Sequence, residues 1–439
     1  MTPPPLSRPY SGYLERLVAR IAEETATAEP LRSSHVGAPA DLRAVVKRAV
    51  EASAADLVAL SHDVHEHPEL GYAEHHAVQA VARLLAAHGH KAEVGAYGID
   101  TALRASAGDG RPRVAILAEY DALPGIGHAC GHNVICATAV GAFLAVTRVI
   151  GDLEGSVELI GCPAEEGGGG KELIARAGGF DEIDAAMMLH PLGFEAAEHP
   201  WIGVRQVEVT YRGLAAHASL TPFLGRNALD AVVQAYTGIA ALRQHILPSD
   251  RIHGIITDGG QKPNIVPQRA AAAFYLRSAE PETLVELSEK ARMIFEAAAT
   301  ATGTAVEIGW DPIPTYLPVR SNHQLAARWA TNIAERGRRS LPAGILPPNI
   351  SASTDLGNVS VRVPAIHPTL AISPPDVSIH TPEFAEWARS DLADTGCVDG
   401  ATGLALTALD FLTDAALRAA VTDEFEAAGG RLDVDALLE

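Results

Sequence analysis

Six side chains that could bind a metal ion or move a proton follow three short apolar runs of the sequence. They are His128, Cys130, His132, Glu165, Glu166 and His190. Histidine and cysteine thiolate are borderline-soft ligands that suit zinc and similar divalent ions, and a carboxylate completes such a set. Any one of these residues, taken alone, is more often a buried core group than a ligand. Their clustering at successive strand ends predicts a metal site.

The spacing within these groups indicates which side chains can act together. Cys130 and His132 lie two positions apart, so both point to one side of an extended stretch, and spacing leaves open whether His128 joins them. Glu165 and Glu166 are adjacent, so their side chains point in opposite directions. One glutamate can then bind a metal while the other faces a bound water, as metal-assisted hydrolysis requires. A solvated acidic turn is the alternative interpretation of this pair.

The elements that must position these residues form an alternating series. Apolar runs over 114–118, 157–161 and 185–189 alternate with helical stretches over 134–149 and 171–177. This order predicts an α/β fold with a mostly parallel sheet that is covered on both faces. Ligands of such sheets bind outside the carboxyl ends of the strands, which is where the candidate residues fall.

A second unit follows, in which the pattern changes to alternating polar and apolar residues. Strands are predicted over 206–211, 252–257, 271–276 and 305–309, and helices over 227–245 and 281–299. The order β-α-β-β-α-β is the ferredoxin-like split unit, and it is expected to be inserted into the first domain as a lid. The predicted organisation is an extension at 1–40, a metal domain in two parts at 41–203 and 316–439, and a lid and dimerisation domain at 204–315.

Composition narrows the function classes. The chain has 439 residues and a net charge of -20, which repels phosphate backbones and argues against nucleic-acid binding. The longest apolar run, 134–146, is shorter than a membrane span, and the first residues do not resemble a secretory signal. The four cysteines make no disulfide framework. We therefore expect a cytoplasmic protein.

Five motifs carry a family resemblance. They are Asp121-Ala-Leu-Pro, His128-Ala-Cys-Gly-His132, Pro163-Ala-Glu-Glu-Gly-Gly, Leu189-His-Pro191 and Ile379-His-Thr381. Together they resemble the aminoacylase, hippurate hydrolase and indoleacetyl-amino-acid hydrolase family of metallopeptidases. The stretch from Glu119 to Gly125, together with Gly131-His-Asn133, resembles in particular the p-aminobenzoyl-glutamate hydrolase and β-alanyl-dipeptide hydrolase branch. The resemblance runs from about 57 to 413 and leaves 1–40 outside.

The resemblance implies roles for residues of the first domain. The implied ligands of one or two divalent ions are Cys130, His132, Glu166, His190 and His380. Glu165 would be the general base, and Asp121 would orient the site from behind. The cysteine ligand favours Zn²⁺, whereas the histidines and the carboxylate suit Mn²⁺ equally. Asn133 stands where many family members have Asp, and we interpret it as a marker of the subgroup.

The resemblance also implies roles for the lid. His217 would stabilise the tetrahedral intermediate, reaching across a homodimer from the neighbouring subunit. Asn264 and Arg277 would hold a substrate carboxylate, since Asn offers a neutral donor and Arg a bidentate fork. The loop over 353–357 resembles a family segment near the substrate, and no role is assigned to it.

The predicted function is metal-dependent hydrolysis of an amide that links an acyl or aminoacyl group to an amino acid with a free carboxylate. N-acyl amino acids, aminobenzoyl-glutamate-like compounds and dipeptides are of this class. Two alternatives remain open. One is a deaminase or carbamoyl-amide hydrolase on the same scaffold. The other is a non-catalytic partner subunit, against which the presence of both Glu165 and His217 argues.

Overall fold

The computed structural model describes residues 10–346 and 351–438. The strands are β1 (Glu93–Val94), β2 (Leu103–Asp109), β3 (Arg113–Glu119), β4 (Gly155–Cys162), β5 (Ala185–Met187), β6 (His190–Leu192), β7 (Gly203–Arg212), β8 (Arg251–Asp258), β9 (Arg269–Ser278), β10 (Ala305–Trp310), β11 (Ala365–Ile366) and β12 (Thr369–Ala371). The helices are α1 (Gly12–Thr27), α2 (Ala40–Glu66), α3 (His75–Ala87), α4 (His132–Val146), α5 (Gly170–Arg176), α6 (Ala228–Leu242), α7 (Pro281–Thr302), α8 (His323–Ile333), α9 (Leu356–Ser360), α10 (Pro382–Trp387), α11 (Asp391–Thr413), α12 (Ala415–Ala427) and α13 (Val434–Leu438). Within these ranges, no helix is both long and apolar enough to span a bilayer.

The first sheet has six strands in the order β1-β2-β4-β3-β5-β11. Its central strands are parallel, with β3 between β4 and β5, and β11 beside β5. The strands β1 and β2 are antiparallel additions on one side that the sequence patterns did not predict. The mixed α/β class is confirmed, and the sheet is parallel where the apolar runs predicted parallel strands.

Helices cover both faces of this sheet. Along β3, Val114 and Ile116 belong to one apolar core, whereas Ala115 and Leu117 belong to another on the opposite face. The first core contains α2, α4 and α11, and α4 is buried at every residue. Contact between these helices is close because Gly141 has no side chain: a Cβ there would lie 2.5 Å from Leu57. The second core contains α5 and α9.

The second sheet is antiparallel, with four strands in the order β10-β7-β9-β8. The helices α6 and α7 pack against it, so chain order is β-α-β-β-α-β, the order that the sequence predicted. Asn227 starts α6 by accepting a hydrogen bond from the N–H of Leu229 at 2.9 Å. The strand β8 forms an edge of the sheet. That this unit acts as a lid with bounds at 204–315 stays a prediction.

In the first domain, several strands and helices end at residues other than those that the sequence patterns predicted. The predicted run 185–189 ends at Met187, and the apolar-rich stretch over 365–372, whose pattern predicts a single strand, is divided into β11 and β12. The strands β6 and β12 form a separate parallel pair. Pro368, which lies between β11 and β12, has no N–H to continue the ladder, and its carbonyl accepts from the N–H of His190 at 2.9 Å. Asp414 likewise ends α11 and caps α12, so the stretch over 399–416, whose pattern predicts one helix, is divided between two.

Candidate active site

The candidate groups lie at one edge of the six-stranded sheet, beyond the carboxyl ends of its parallel strands. The chain continues from β3 into Asp121, from β4 into Glu165 and from β5 into His190. His132 opens α4 directly after Gly131, whose φ of +76° favours glycine and where a Cβ would lie 2.5 Å from Pro191. The loop can therefore turn sharply enough to place a histidine at the start of a buried helix.

The structure brings together all of the implied metal ligands, in two groups that share Cys130. The first group is Cys130, His132 and His190, and the second is Cys130, Glu166 and His380. Within each group the potential ligand atoms lie within 4.8 Å of one another. Cys130 Sγ is 3.4 Å from His190 Nε2, and His380 Nε2 is 3.1 Å from Glu166 Oε1. The two groups together offer enough potential ligand atoms for one or two divalent ions.

His380 reaches this cluster from a distant part of the chain. Its backbone N–H donates to the carbonyl of Ala129 at 2.8 Å, next to Cys130. Its φ is +61°, which is uncommon for a residue with a side chain. Backbone conformations of this kind cost free energy and concentrate at functional sites, where the surrounding structure holds them.

The donor atoms fit a divalent metal ion. His190 directs Nδ1 to the carbonyl of Pro191 at 2.8 Å, which leaves Nε2 facing Cys130. His132 is engaged through Nδ1, and its buried Nε2 makes no hydrogen bond in the described part of the chain. A buried polar atom without a partner costs about 1–3 kcal/mol, and a histidine whose other nitrogen is anchored is the usual form of a metal ligand.

Asp121 connects two of the ligands from behind. One carboxylate oxygen lies 2.9 Å from His132 Nδ1, and the other accepts from the N–H of Glu166 at 2.9 Å. Burial would raise the pKa of Asp121, but the facing His132 outweighs it and lowers that pKa. Burial would lower the pKa of His132, but Asp121 and Cys130 outweigh it and raise that pKa well above its ordinary value. The position is the one expected of an orienting group.

The adjacent glutamates point to different neighbours, as their spacing predicted. Glu166 faces His380 and Cys130, whereas Glu165 Oε2 lies 3.8 Å from His132 Nε2. Burial raises the pKa of Glu165, and the carboxylates of Glu119 and Glu166 raise it further. The turn is fixed by Tyr316, whose hydroxyl donates to the carbonyl of Glu165 at 2.6 Å.

A buried charge network lies beside the site, and the sequence patterns did not predict it. Lys171 Nζ donates to a carboxylate oxygen of Glu119 and to Asp355 Oδ1, and the side chains of all three are at most 1% exposed. The other oxygen of Glu119 is 3.5 Å from His132 Nε2. Glu119 opens the stretch from Glu119 to Gly125 that carries the branch resemblance, which was its only signal. Nothing in the sequence pattern indicates a partner for Lys171 or Asp355.

Two residues whose relation to the metal was open lie outside the donor groups. His128 is buried, its ring centroid is 6.0 Å from that of His65, and burial lowers its pKa to about 3. The Asn133 side chain donates to Ser61 Oγ at 2.9 Å and to the carbonyl of Ala388 at 2.8 Å. An aspartate at 133 would turn a carboxylate toward that carbonyl, so the amide suits this contact.

The predicted lid residues divide into two sets. His217 and Asn264 are exposed and adjacent, since the N–H of Ala218 donates to the carbonyl of Asn264 at 3.0 Å. No contact between their side chains and the donor groups is present in the described single chain. Arg277 is half-buried and donates to Ser353 Oγ at 2.7 Å, so it is joined to the loop that carries Asp355.

A set of Cys, His and Glu donors, three of which are buried, lies beside a second glutamate at the carboxyl edge of an α/β sheet and defines a metal-dependent hydrolase. The model of peptidase family M20/M25/M40 matches residues 115–394. The chain belongs to this family, and it is a hydrolase of amide or dipeptide bonds. The predicted family resemblance is confirmed.

Three relatives illustrate the extent of the similarity. The Xaa-Arg dipeptidase of Mus musculus is 38% identical over 416 residues, which cover 91% of this chain and 95% of that protein. One of the subunits of the p-aminobenzoyl-glutamate hydrolase of Escherichia coli (strain K12) is 30% identical over 443 residues, with 84% and 92% covered. A dinuclear metal-binding M20 peptidase of Bacillus subtilis shares the fold, with a TM-score of 0.64, 22% identity, and 82% and 99% of the chains covered.

Proposed function

We propose that this enzyme cleaves dipeptides and related N-acyl amino acids that end in a free carboxylate, and that a basic C-terminal amino acid is preferred. Two observations support the preference. The Xaa-Arg dipeptidases of mouse and human are 38% and 37% identical and match 91% and 86% of this chain. The chain also carries a net charge of -20, which attracts cationic substrates over a long range.

The proposal that the enzyme recognises the free carboxylate of its substrate rests on Arg277. Among the residues that the structure describes, no carboxylate lies within 4.0 Å of its guanidinium, although most other half-buried arginines of the chain are ion-paired. Burial lowers the pKa of Arg277, which indicates a cation that lacks compensation. A substrate carboxylate would supply the missing partner through a bidentate pair. Asn264 would add a neutral donor from the neighbouring loop.

The proposed chemistry assigns the remaining roles. Cys130, His132, Glu166, His190 and His380 would hold one or two divalent ions, with Zn²⁺ favoured by the thiolate and Mn²⁺ as the alternative. A bound ion of this kind polarises an amide carbonyl and lowers the pKa of a water molecule.

Proton transfer and orientation would come from the protein itself. Glu165 would accept the proton of the attacking water and return it to the leaving amine. Asp121 would keep His132 in one tautomer and orientation through their 2.9 Å hydrogen bond.

We also propose that the enzyme is a homodimer through the second sheet. The loop between β7 and α6 exposes Leu220, Phe223 and Leu224, which are 74%, 79% and 62% accessible. The edge strand β8 exposes Ile255, which is 65% accessible. An unpaired strand edge beside exposed apolar side chains is suited to pairing with a second copy. His217 precedes Leu220 by three positions, so the same contact would carry it to the neighbouring site to stabilise the oxyanion.

Removal of Arg277 tests the substrate class. A charge-assisted hydrogen bond is worth about 1.5–3 kcal/mol, so Arg277→Ala should lower kcat/KM by about 10- to 150-fold for a free-acid dipeptide. The matching C-terminal amide should be affected much less. Arg251→Ala is the matched control, because Arg251 faces Arg277 across β8 and β9 but bonds to backbone carbonyls. Equal losses for acid and amide would show that Arg277 is structural.

A substrate panel tests the reaction itself. Dipeptides ending in Arg or Lys should release a free amino acid faster than N-acyl glutamates. Release of ammonia in place of an amino acid would identify a deaminase or carbamoyl-amide hydrolase. No turnover of any compound by the metal-loaded protein would identify a non-catalytic subunit.

Mixing two inactive variants tests the shared site. His217→Ala and Glu165→Gln should each be inactive as homodimers, but the mixed dimer contains one intact site. Random mixing in a symmetric dimer should restore roughly a quarter of the wild-type activity. Continued inactivity of the mixture, with light scattering that shows dimers, would refute the shared site.

A further inference from the structure

A second cluster of metal-binding side chains lies at the junction of α2 and α3. Its members are Asp63, His67 and His76, which each offer one ligand atom within 4.8 Å of the others. Asp63 Oδ2 is 3.0 Å from His76 Nε2, and Asp63 Oδ1 is 3.3 Å from His67 Nδ1. This cluster shares no residue with the donor groups around Cys130.

The distances are close to those around a bound ion. A tetrahedral zinc site with bonds of about 2.0–2.2 Å separates neighbouring ligand atoms by roughly 3.3–3.6 Å. The 3.3 Å contact fits this range, and the 3.0 Å contact would lengthen by a few tenths of an ångström on binding. The two imidazole rings stack with centroids 4.0 Å apart and an angle of 22°, which brings their edges to the same carboxylate. His67 Nδ1 also lies 2.8 Å from the carbonyl of Asp63, which holds the ring beside the end of α2. The three side chains are 32–51% exposed, so an ion and its water ligands have access.

Two histidine–aspartate pairs that each have one member on α2 look different. His88 pairs with Asp56 at 3.0 Å, and His62 pairs with Asp394 at 2.7 Å. In each of these pairs one imidazole contacts one carboxylate. Such a contact is an ordinary ion pair or hydrogen bond, because it lacks a third ligand for a metal ion. At Asp63 two imidazoles converge on one carboxylate, which is the arrangement of three ligands around a single ion.

The cluster is connected to the catalytic loops through the segment that follows it. The carbonyl of Glu69 accepts from the N–H of Ala122 at 2.8 Å, next to Asp121. Tyr72 donates its hydroxyl to the carbonyl of Gly168 at 2.7 Å, beyond the glutamate pair. The segment between His67 and His76 therefore touches both loops that carry the site.

We propose that Asp63, His67 and His76 bind one Zn²⁺ ion that is separate from the catalytic metal and that braces this segment against the active site. The ion joins the last turn of α2 to the first turn of α3 through side-chain ligands. Its removal loosens the two hydrogen-bonded contacts with the catalytic loops, while the ligands of the catalytic metal stay in place.

Titration of the metal-loaded enzyme with Zn²⁺ tests this site. The wild type should bind one more Zn²⁺ per chain than the double variant His67→Ala/His76→Ala, and its melting temperature should rise on this addition. His88→Ala, which removes a comparable surface histidine, should behave as the wild type. Asp63→Asn should lose the same ion without removing either ring, which keeps the test valid if the double variant folds poorly.

Two outcomes would overturn the proposal. One is the same number of bound Zn²⁺ ions in the wild type, the double variant and Asp63→Asn. The other is loss of the extra ion in His88→Ala as well, which would indicate nonspecific binding to surface histidines. Because catalytic turnover is measured in parallel, failure of the proposed dipeptidase activity is distinguishable from failure of this site.

Discussion

Replacement of Lys171 by methionine should destabilise the protein far more than loss of an ordinary ion pair. The ammonium group is fully buried between Glu119 and Asp355, whose side chains are 1% and 0% exposed. Lys171→Met keeps most of the side-chain volume but leaves two buried carboxylates without a counterion. Removal of one partner from a buried charge cluster costs about 3–5 kcal/mol. We expect a loss of this size in the free energy of unfolding.

Urea unfolding followed by circular dichroism, with linear extrapolation to water, measures the loss. Lys47→Met is the matched control, because Lys47 pairs with Glu335 at the surface, where the side chains are 41% and 37% exposed. That variant should lose about 0–1 kcal/mol. Neutralising both acids in Lys171→Met/Glu119→Gln/Asp355→Asn should restore much of the stability. If Lys171→Met is no less stable than Lys47→Met, the network does not hold the fold as argued.

Three further predictions concern the site and its surroundings. Cys130→Ala and His190→Ala should each lose metal and activity together, and full metal occupancy by elemental analysis would contradict the ligand assignment. Glu165→Gln should keep metal but lose about 10²–10⁴-fold in kcat, whereas Glu166→Gln should weaken metal binding; the opposite pattern would exchange their roles. Burial lowers the pKa of His199 from 6.5 to about 4, so between these values the unfolded chain binds a proton that the folded chain does not. Stability should therefore fall by roughly 3 kcal/mol as the pH drops through this window, and His199→Leu should lack this component in urea unfolding at neutral and acidic pH.

The central strands could be predicted from the sequence because their chemistry is local. Both faces of β3 and β4 are buried, so each strand appears as a nearly continuous apolar run that ends at a turn, with Glu158 as the one charged residue of the β4 run. The strand β2 was missed because its alternation from Leu103 to Ala107 is short and relies on two alanines, and because Gly108 and Asp109 continue it without an apolar residue. Gly108 has a φ of +82°, and a Cβ there would lie 2.4 Å from the carbonyl oxygen of Gly155.

The grouping of the candidate ligands could be predicted for a similar reason, whereas the partners of these side chains could not. Cys130, His132 and Glu166 stand in short motifs after strands, and their residue types indicate a metal. The contact between Lys171 and Glu119 joins positions that are far apart in the chain, and a lysine after four glycines resembles any surface lysine. Only the fold shows that this lysine is buried and paired.

The packing of α11 against α2 and α4 has a consequence for biosynthesis. The first core is completed by residues 391–413, although α4 ends at Val146, so about 245 residues separate the two helices in the chain. At about 5–20 residues per second, a ribosome takes roughly 10–50 s to make the intervening polypeptide. During that time the apolar surfaces of α2 and α4 lack their final neighbour, while the second sheet, which is contiguous in sequence, can fold on the nascent chain. Chaperone dependence in vivo should therefore arise from the sheet that carries the candidate catalytic groups.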